Sequence, residues 1–459
     1  MNILSIVQAV NSYLSDYILV FILGGCGIYF TLRTGFVQVR CLGKGIRTAI
    51  SERPSGGHNQ IEGMSSFQAL ATAVAAQIGT GNIVGACGAI LTGGPGALMW
   101  MWVISFFGMA TIYAEAVLAQ ETRKIDRDGT VQGGPVYYIK RAFRGKSGDY
   151  LSAFFAVSVI LSLGFIGAMV QSNSIAAVCS NAFGIQPQIM GIAVALGCAL
   201  IFMGGTSRLA KVTERLVPLM AIIYMAGGLI ILAMRIRYIP ETIYLIFKYA
   251  FFPKAIIGGG VGMALKICIS QGVKRGMYSN EAGMGSTPHA HAVAMVKKPH
   301  DQGVAAMIGV FIDTFVVLTL TGLIVVSTLY AGGGPLSIHA VPGAAEGIDK
   351  TNMVQIAVGS LTSPQAGNIF VAVCLFFFAF SSIIGWNYFG KINVIYLFGK
   401  KAVPLYMLIC LVFIFLGSVV GSDLVWELGD MFSQLMIIPN VAALVVLGKA
   451  VAKHAKAKK

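Results

Sequence analysis

Residues 75–85 read Ala75-Ala76-Gln77-Ile78-Gly79-Thr80-Gly81-Asn82-Ile83-Val84-Gly85. Apolar, helix-compatible sequence flanks a core of two glycines two apart, with Thr80 between them and Asn82 after them. Glycine is a poor helix former, so the core reads as an interruption in a helix. The stretch sits inside residues 63–114, which contain no Asp, Glu, Lys or Arg; residues 150–207 contain none either. A helix crosses a bilayer with about 20 apolar residues. Each uncharged stretch therefore holds two spans and a turn. The turns are Gly93-Gly94-Pro95-Gly96 and Asn181-Ala182-Phe183-Gly184-Ile185-Gln186-Pro187. The interruption thus falls at mid-membrane. Backbone that leaves the helix there is tolerated only when buried in protein or lining a cavity. A kinked span with small residues for close packing is the plainer account; a second interruption five spans later favours the functional one.

That second interruption lies in Ser270-Gln271-Gly272-Val273-Lys274-Arg275-Gly276-Met277-Tyr278-Ser279-Asn280-Glu281-Ala282-Gly283-Met284-Gly285. The apolar segment around it, 256–294, is too long and too polar for one lipid-facing helix. It reads as two half-helices joined by extended chain around Gly276–Ser279. Lys274, Arg275 and Glu281 are ionisable at membrane depth, a functional hypothesis by default. An internal ion-pair network or snorkelling to the cytoplasmic surface are the alternatives, and structural or gating roles are favoured over substrate contact.

The whole composition agrees with a membrane protein. Of 459 residues 56% are hydrophobic and 11% charged, with a mean hydropathy of +0.78. An average soluble domain is about a quarter charged, so a soluble enzyme, a nucleic-acid binder and a disordered chain are excluded. Long apolar runs indicate helices rather than the short alternating strands of a barrel. The expected fold is an all-α polytopic bundle of about eleven spans: 14–32, 66–92, 96–119, 151–179, 188–205, 216–235, 256–294, 304–330, 366–390, 403–420 and 429–448. No Lys or Arg precedes the first apolar segment, so no cleavable signal peptide is expected. The eight cysteines form no CxxC and lie mostly in apolar segments; they read as small core residues.

Charge sets the expected topology. Six alternate linkers, beginning at 33–65 and ending with the tail 449–459, hold 25 of the 33 basic residues. Basic linkers face the cytoplasm, which places the amino terminus outside and the carboxyl terminus inside a plasma membrane. Segment 235–254, with Arg235, Arg237, Lys248 and Lys254 on the outer side, is expected to form an amphipathic surface helix. With the first span set aside, the interruptions fall in the first and sixth helices of a ten-helix core. Five is odd, so two five-helix repeats, 66–235 and 256–448, would run in opposite directions. Interrupted helices at matching positions of inverted halves mark a secondary transporter with a midplane site. A gated pore with re-entrant filter segments is the competing class. No HExxH, Walker A or GxSxG sequence supports enzyme chemistry, and His289 and His291, two apart, do not face each other on a helix; they read as surface residues. Glu115 reads as internally paired or as a proton site, and proton coupling through Glu115 or Glu281 is a third alternative.

Residues 93–108, Gly93-Gly94-Pro95-Gly96-Ala97-Leu98-Met99-Trp100-Met101-Trp102-Val103-Ile104-Ser105-Phe106-Phe107-Gly108, resemble the signature of the alanine or glycine:cation symporter family, with Met99 at the usual Phe. The resemblance extends through Gly79–Asn82, Ser279–Gly283, Gly385-Trp386 and Ile438-Pro439-Asn440, over nearly the whole chain. It implies sodium-coupled uptake of small neutral amino acids such as alanine and glycine, on a leucine-transporter (LeuT) type 5+5 inverted repeat preceded by one extra helix. Proton coupling and broader substrates such as glutamine or serine remain alternatives. Membrane lipid is the expected surrounding partner, nucleic acid is not expected, and a monomer is favoured.

An amino acid's carboxylate needs N–H donors at a helix end, and its ammonium needs oxygens. Gly79, Thr80 and Gly81 are expected to offer the N–H groups, with Gln77 and Asn82 beside them. The segment Gly276, Met277, Tyr278 and Ser279 is expected to offer carbonyls. Phe165 with Ile166 or Met169 is expected to wall the side-chain pocket, and Gln171 to orient the substrate. Trp386 either caps the cavity or belongs to an interfacial belt. Ser381 and Ser382, taken alone, back-bond to their own helix. The resemblance implies instead that they bind sodium with the carbonyls of Ala75, Ile78 and Phe378.

Overall fold

The computed structural model describes residues 3–14, 19–51, 63–126, 129–252, 261–337, 343 and 345–456. Arg53, Arg127, Lys254, Lys458 and Lys459 of the charge pattern, residues 15–18 of the first expected span and the start of the seventh, 256–260, lie outside the described residues. Helices α1 (Ile3–Tyr13) and α2 (Val20–Arg33) precede the core. Helices α3 (Ser66–Gln77) and α4 (Ala86–Gly93) are the two pieces of the first interrupted span. They are followed by α5 (Ala97–Thr122), α6 (Lys146–Phe183), α7 (Pro187–Phe202) and α8 (Gly205–Met234). Helix α9 (Ile239–Phe251) leads to the second interrupted span, α10 (Val261–Asn280) and α11 (Pro288–Ala292). Then come α12 (Pro299–Tyr330), α13 (Met353–Gly359), α14 (Pro364–Phe398), α15 (Val403–Val419), α16 (Ser422–Val446) and α17 (Gly448–Lys456).

Seven of these helices are long and apolar enough to cross a membrane, and α3 with the 81–93 piece forms an eighth span bent by 49°. Helices α2 and α7 are shorter and apolar. Local chemistry sets the boundaries. Ser65 and Gln68 cap α3 reciprocally, each backbone N–H donating to the other's side-chain oxygen at 3.1 Å, which satisfies two otherwise orphaned donors. Between α6 and α7, Gly184 takes a left-handed φ of 65° and Pro187 opens the next helix, a glycine stop and proline start. Helices α5, α6, α12, α14 and α16 are mostly buried in the bundle, whereas α8 and α15 are mostly not. The outward residues of these two, Ile222, Leu229, Ile230, Leu405 and Leu408 among them, are apolar and exposed, a surface suited to lipid rather than water.

The surface helix expected at 235–254 is present as α9. Trp100 Nε1 donates to its Ala250 carbonyl at 3.0 Å, and the Arg235 guanidinium lies 3.6 Å from the Tyr238 ring centre. All eight cysteines are free and buried. Two expectations need correction. The second interruption does not fall at Gly276–Ser279, because α10 continues through Asn280. Gly276 is instead a packing contact on α5: a Cβ there would lie 2.9 Å from Ile104 Cγ2 and 3.1 Å from Met101 Cα. His289 and His291 are buried, not at the surface. Helix α11 lies inside the bundle, where His289 stacks between Phe155 and Phe389 and shares a 2.8 Å hydrogen bond with Asn393.

Candidate functional site

The first break is short. Ile78 is extended, with φ −76° and ψ 92°, and a π-helical turn begins at Gly81. Ionisable or polar groups recur at such turns: Asn82 lies in this one and Asp313 in another, Phe311–Leu318. π-bulges in α-helices often mark functional sites. The break is packed tightly enough to require its glycines. A Cβ on Gly81 would lie 3.0 Å from Ser279 Cα, and one on Gly79 would collide with Ser382 Oγ. This is how the first break comes up against both α10 and α14.

Four carbonyls converge on two hydroxyls beside the break. Ser382 Oγ lies 3.1 Å from the Ala75 and Ala76 oxygens, 3.4 Å from Ile78 O and 3.2 Å from Phe378 O. Ser381 Oγ lies 3.2 Å from Ala75 O and 2.8 Å from Phe378 O. A hydroxyl has one proton and can satisfy one of these acceptors. Ordinary back-bonding would engage Phe378 alone, so the extra carbonyls distinguish this cluster from plain helical serines. Oxygens bound near-octahedrally at about 2.4 Å from a hard cation sit about 3.4 Å apart. The cluster is neutral and buried, and apart from Met220 Sδ at 3.5 Å from Ser381 Oγ its polar atoms are oxygens, a donor set suited to a small monovalent cation. All five residues expected at the ion are therefore together.

On the other side of the break, side-chain amides occupy the backbone donors. Gly79 N donates to Asn82 Oδ1 at 3.0 Å and Thr80 N to Gln171 Oε1 at 3.1 Å. The expectation that both N–H groups are open is corrected accordingly: a buried N–H takes whatever acceptor is nearest. Thr80 Oγ1 and Gln77 Oε1 are buried with no hydrogen-bond partner. Gln77 Nε2 donates to Asn280 O at 2.7 Å and so ties the first break to the end of α10.

Asp313 was not singled out by the sequence reasoning, yet it lies between the two interrupted spans. Its carboxylate accepts from Asn82 Nδ2 at 2.6 Å, from Ser279 Oγ at 2.9 and 3.1 Å and from Thr314 Oγ1 at 2.9 Å. Among the described residues no Lys or Arg pairs with it. The signal was available: a lone acid, Ile312-Asp313-Thr314, in a long apolar run.

The second break runs from Glu281 to Thr287 and is strapped from outside. Glu281, Gly283 and Gly285 have φ of 58°, 88° and 78°. Gly283 N and Gly285 N donate to the Glu115 carboxylate at 3.1 and 2.9 Å, and Asn440 Nδ2 does so at 2.6 Å. Asn440 in turn accepts from Tyr138 and donates to Gly283 O at 2.9 Å. Glu281 itself accepts from Trp386 Nε1 at 2.5 Å and from Ser286. Trp386 is thus buried at the break rather than in a belt, edge-on to Tyr278 at 6.2 Å. Lys274 and Arg275 pair with Asp430 at 2.8 and 2.9 Å, an internal network and not snorkelling.

Three expected pocket residues point elsewhere. Phe165 stacks on Phe413 at 4.9 Å and meets Tyr406 at 5.7 Å, both on α15. Met169 lies against α15 at Gly417. Met277 lines a small cleft with Lys274 and Asp430 against α16. The reason is helical phase: residues two apart are about 200° apart, so the face of α6 that carries Gly167 and Gln171 to the breaks turns Phe165 and Met169 outward. Ile166 and Val170, near Gly429 and the Tyr278 hydroxyl, lie on the side of α6 that faces α10 and α16.

The sequence model described as the sodium:alanine symporter family matches residues 1–458. The sodium/alanine symporter AgcS of Methanococcus maripaludis is 40% identical over 460 residues, covering 100% of this chain and 97% of its own. The amino-acid carrier protein AlsT of Bacillus subtilis is 36% identical, covering 96% of this chain and 89% of its own. Among solved structures, that of MhsT in complex with L-phenylalanine aligns with a TM-score of 0.55 at 15% identity, over 85% of this chain and 99% of that one, a likeness of fold.

Proposed function

This chain belongs to the sodium:alanine symporter family, and on that premise we propose how its two broken helices couple sodium to a small neutral amino acid. It is a multi-pass membrane transporter and not an enzyme. The observation that carries the reading is the convergence of Ser381, Ser382 and the carbonyls of Ala75, Ile78 and Phe378 at the first break. Sodium there joins the end of α3 to α14 and fixes the geometry of the break. The substrate carboxylate docks at Thr80 and Gly81, where the following half-helix presents its positive end. Asn82 and Gln171 hold the neighbouring N–H groups until the carboxylate arrives. Trp386 and Tyr278 close the far side. Asp313, when ionised, has a negative charge that a cation arriving with the cargo neutralises. Each ligand favours the arrangement the other needs, so the coupling is reciprocal.

The repeats 66–235 and 256–448 rock against each other around this site, with the amino terminus outside and the basic linkers in the cytoplasm. Alanine and glycine fit the family; glutamine and serine are the wider set to exclude. The experiment is uptake by purified protein in liposomes with choline replacing sodium at fixed pH, and an amino-acid competitor panel. Sodium-dependent uptake with counterflow of labelled alanine is expected; uptake without counterflow would indicate a pore. A second reading, proton coupling, draws on Asp313 and Glu281, which have no cationic partner among the described residues. Proton entry coupled to alanine at zero sodium would favour it.

A further inference from the structure

The carboxyl-terminal helix α17 is basic on one face and apolar on the other. Gly448, Val451, Ala452 and Ala455 are buried. Lys449, Lys453 and Lys456 are exposed, and their spacing of four and three residues keeps them on one side of the helix. Helix α17 packs on α2 and α5, with the Tyr29 hydroxyl so close to Gly448 that a Cβ there would push the Tyr29 ring aside. A crevice of about 610 Å³ opens between α17 and the end of α2, lined by Lys449, Lys453, Lys456, Arg33, Tyr29 and Leu32 among others. Among the described residues no acidic one lines it. None of the four cations takes part in an ion pair among the described residues. Nearby Glu121 is engaged by Arg141 at 2.9 Å and His454 at 3.3 Å.

Four uncompensated cations around one crevice repel each other and call for an anion. The crevice lies where the apolar helices α2 and α16 give way to basic sequence, the boundary between hydrocarbon and headgroups. Leu32, 64% exposed, adds an apolar flank beside Arg33. A free phosphate would use the cations alone, whereas a phospholipid uses both features. Basic pockets between helices at this boundary bind anionic headgroups, and Arg offers a bidentate fork to phosphate oxygens. We infer that the crevice between α2 and α17 is a binding site for the headgroup of an anionic phospholipid, its phosphodiester held by Arg33, Lys449, Lys453 and Lys456 and one acyl chain lying along Leu32. This site does not rest on the transport reading and is tested without transport.

The full chain is purified in a neutral detergent and titrated with phosphatidylglycerol, with phosphatidylcholine and with inorganic phosphate. Retained lipid is counted by native mass spectrometry and the melting temperature is followed. The variant Lys449→Gln/Lys453→Gln/Lys456→Gln is compared with Arg144→Gln/Lys146→Gln/Lys401→Gln, which removes equal charge from exposed positions elsewhere. The expected result is one tightly retained phosphatidylglycerol in the unmodified protein and the second variant. The first variant should hold it on the order of 100-fold more weakly, and phosphatidylcholine should not replace it. Equal loss in both variants would overturn the site in favour of diffuse attraction. Stabilisation by inorganic phosphate matching that by the lipid would overturn the lipid assignment. A size-exclusion profile unchanged in the first variant separates lost binding from misfolding, and retention unchanged in that folded variant also overturns the proposal.

Discussion

At the first break the chain leaves the helix at Ile78 and re-enters at Gly81, with no positive φ anywhere between them. At the second it stays out from Glu281 to Thr287 and turns left-handed at Glu281, Gly283 and Gly285. The first break is bordered by groups with spare capacity: several carbonyls sharing two hydroxyls, an unpartnered Thr80 hydroxyl, and N–H groups held by replaceable side-chain amides. The second is more fully satisfied, since Glu115 and Asn440 take up the N–H groups of Gly283 and Gly285 and the Gly283 carbonyl, and only the Thr287 hydroxyl at its far end is buried without a partner among the described residues. Unpaired polar groups in a low-dielectric interior are costly unless a ligand completes them. The contrast assigns binding to the first break and a fixed bend to the second. Substitutions separate the two roles: damage at the second break should appear in stability, and damage at the first in ligand affinity.

The largest effect is expected at the strap. Glu115→Ala leaves Gly283 N, Gly285 N and an Asn440 donor without their acceptor. Each orphaned group costs about 1–3 kcal/mol, a large share of a typical stability of about 5–15 kcal/mol. The melting temperature of the purified variant should collapse, and Glu115→Gln, which keeps one acceptor oxygen, should fall less. A Glu115→Ala protein that melts normally and loses only substrate affinity would erase the contrast between the breaks.

Next come Thr80→Ala and Asn82→Ala. Thr80→Ala breaks no hydrogen bond within the protein, so stability should hold while uptake falls. Losing one charge-assisted hydrogen bond to the substrate corresponds to roughly 1.5–3 kcal/mol, or about 10- to 150-fold in affinity. Asn82→Ala should lose affinity and also stability, because it holds both Gly79 and Asp313. Binding isotherms alongside melting curves check both. Unchanged affinity in the Thr80 variant would remove that hydroxyl from the substrate site.

A smaller, conditional effect is expected at the serines. Ser381→Ala and Ser382→Ala should raise the sodium concentration for half-maximal uptake, while apparent substrate affinity recovers at saturating sodium because mass action refills a weakened site. Ser382 reaches four carbonyls and Ser381 two, so the Ser382 variant should shift further. Substrate affinity measured at several sodium concentrations tests this; a sodium dependence matching the unmodified protein would return both serines to plain back-bonding.

Much of this was legible in the chain. The Gly79-Thr80-Gly81 break follows from local propensity, since two glycines two apart cannot sustain a helix without help. Sequence alone puts the second break too early because Gly276 resembles a breaker, whereas Ile104 and Met101 use it as a contact surface. Tertiary packing decided that case, and packing partners far along the chain are not written locally. Glu115 and Asn440 illustrate the same limit: they are 325 residues apart. Phase along α6 was the other failure, because a run of apolar residues gives the helix without saying which side meets the breaks. The ion cluster was reached only through resemblance, since a Ser-Ser pair alone also fits back-bonding.

The smallest effect is expected where sequence and structure disagree about the pocket wall. Phe165 was expected to face the substrate, yet its ring stacks on Phe413 and meets Tyr406. Phe165→Leu removes two aromatic pairs, each worth about 0.5–1.5 kcal/mol beyond its area, and leaves most of the apolar volume in place. The melting temperature should drop slightly and alanine affinity should stay within about twofold, a difference of about 0.4 kcal/mol. The competitor profile should also keep its order, because a residue that lines the pocket changes which side chains fit and one that packs outside it does not. Ile166→Ala is the companion variant. It removes a branched side chain from the side of α6 that faces α10 and α16 and should widen the competitor range. If Phe165→Leu instead admits larger amino acids while Ile166→Ala does not, α6 presents its other face during transport. The first break would then be completed by a rotated helix rather than by the arrangement described above.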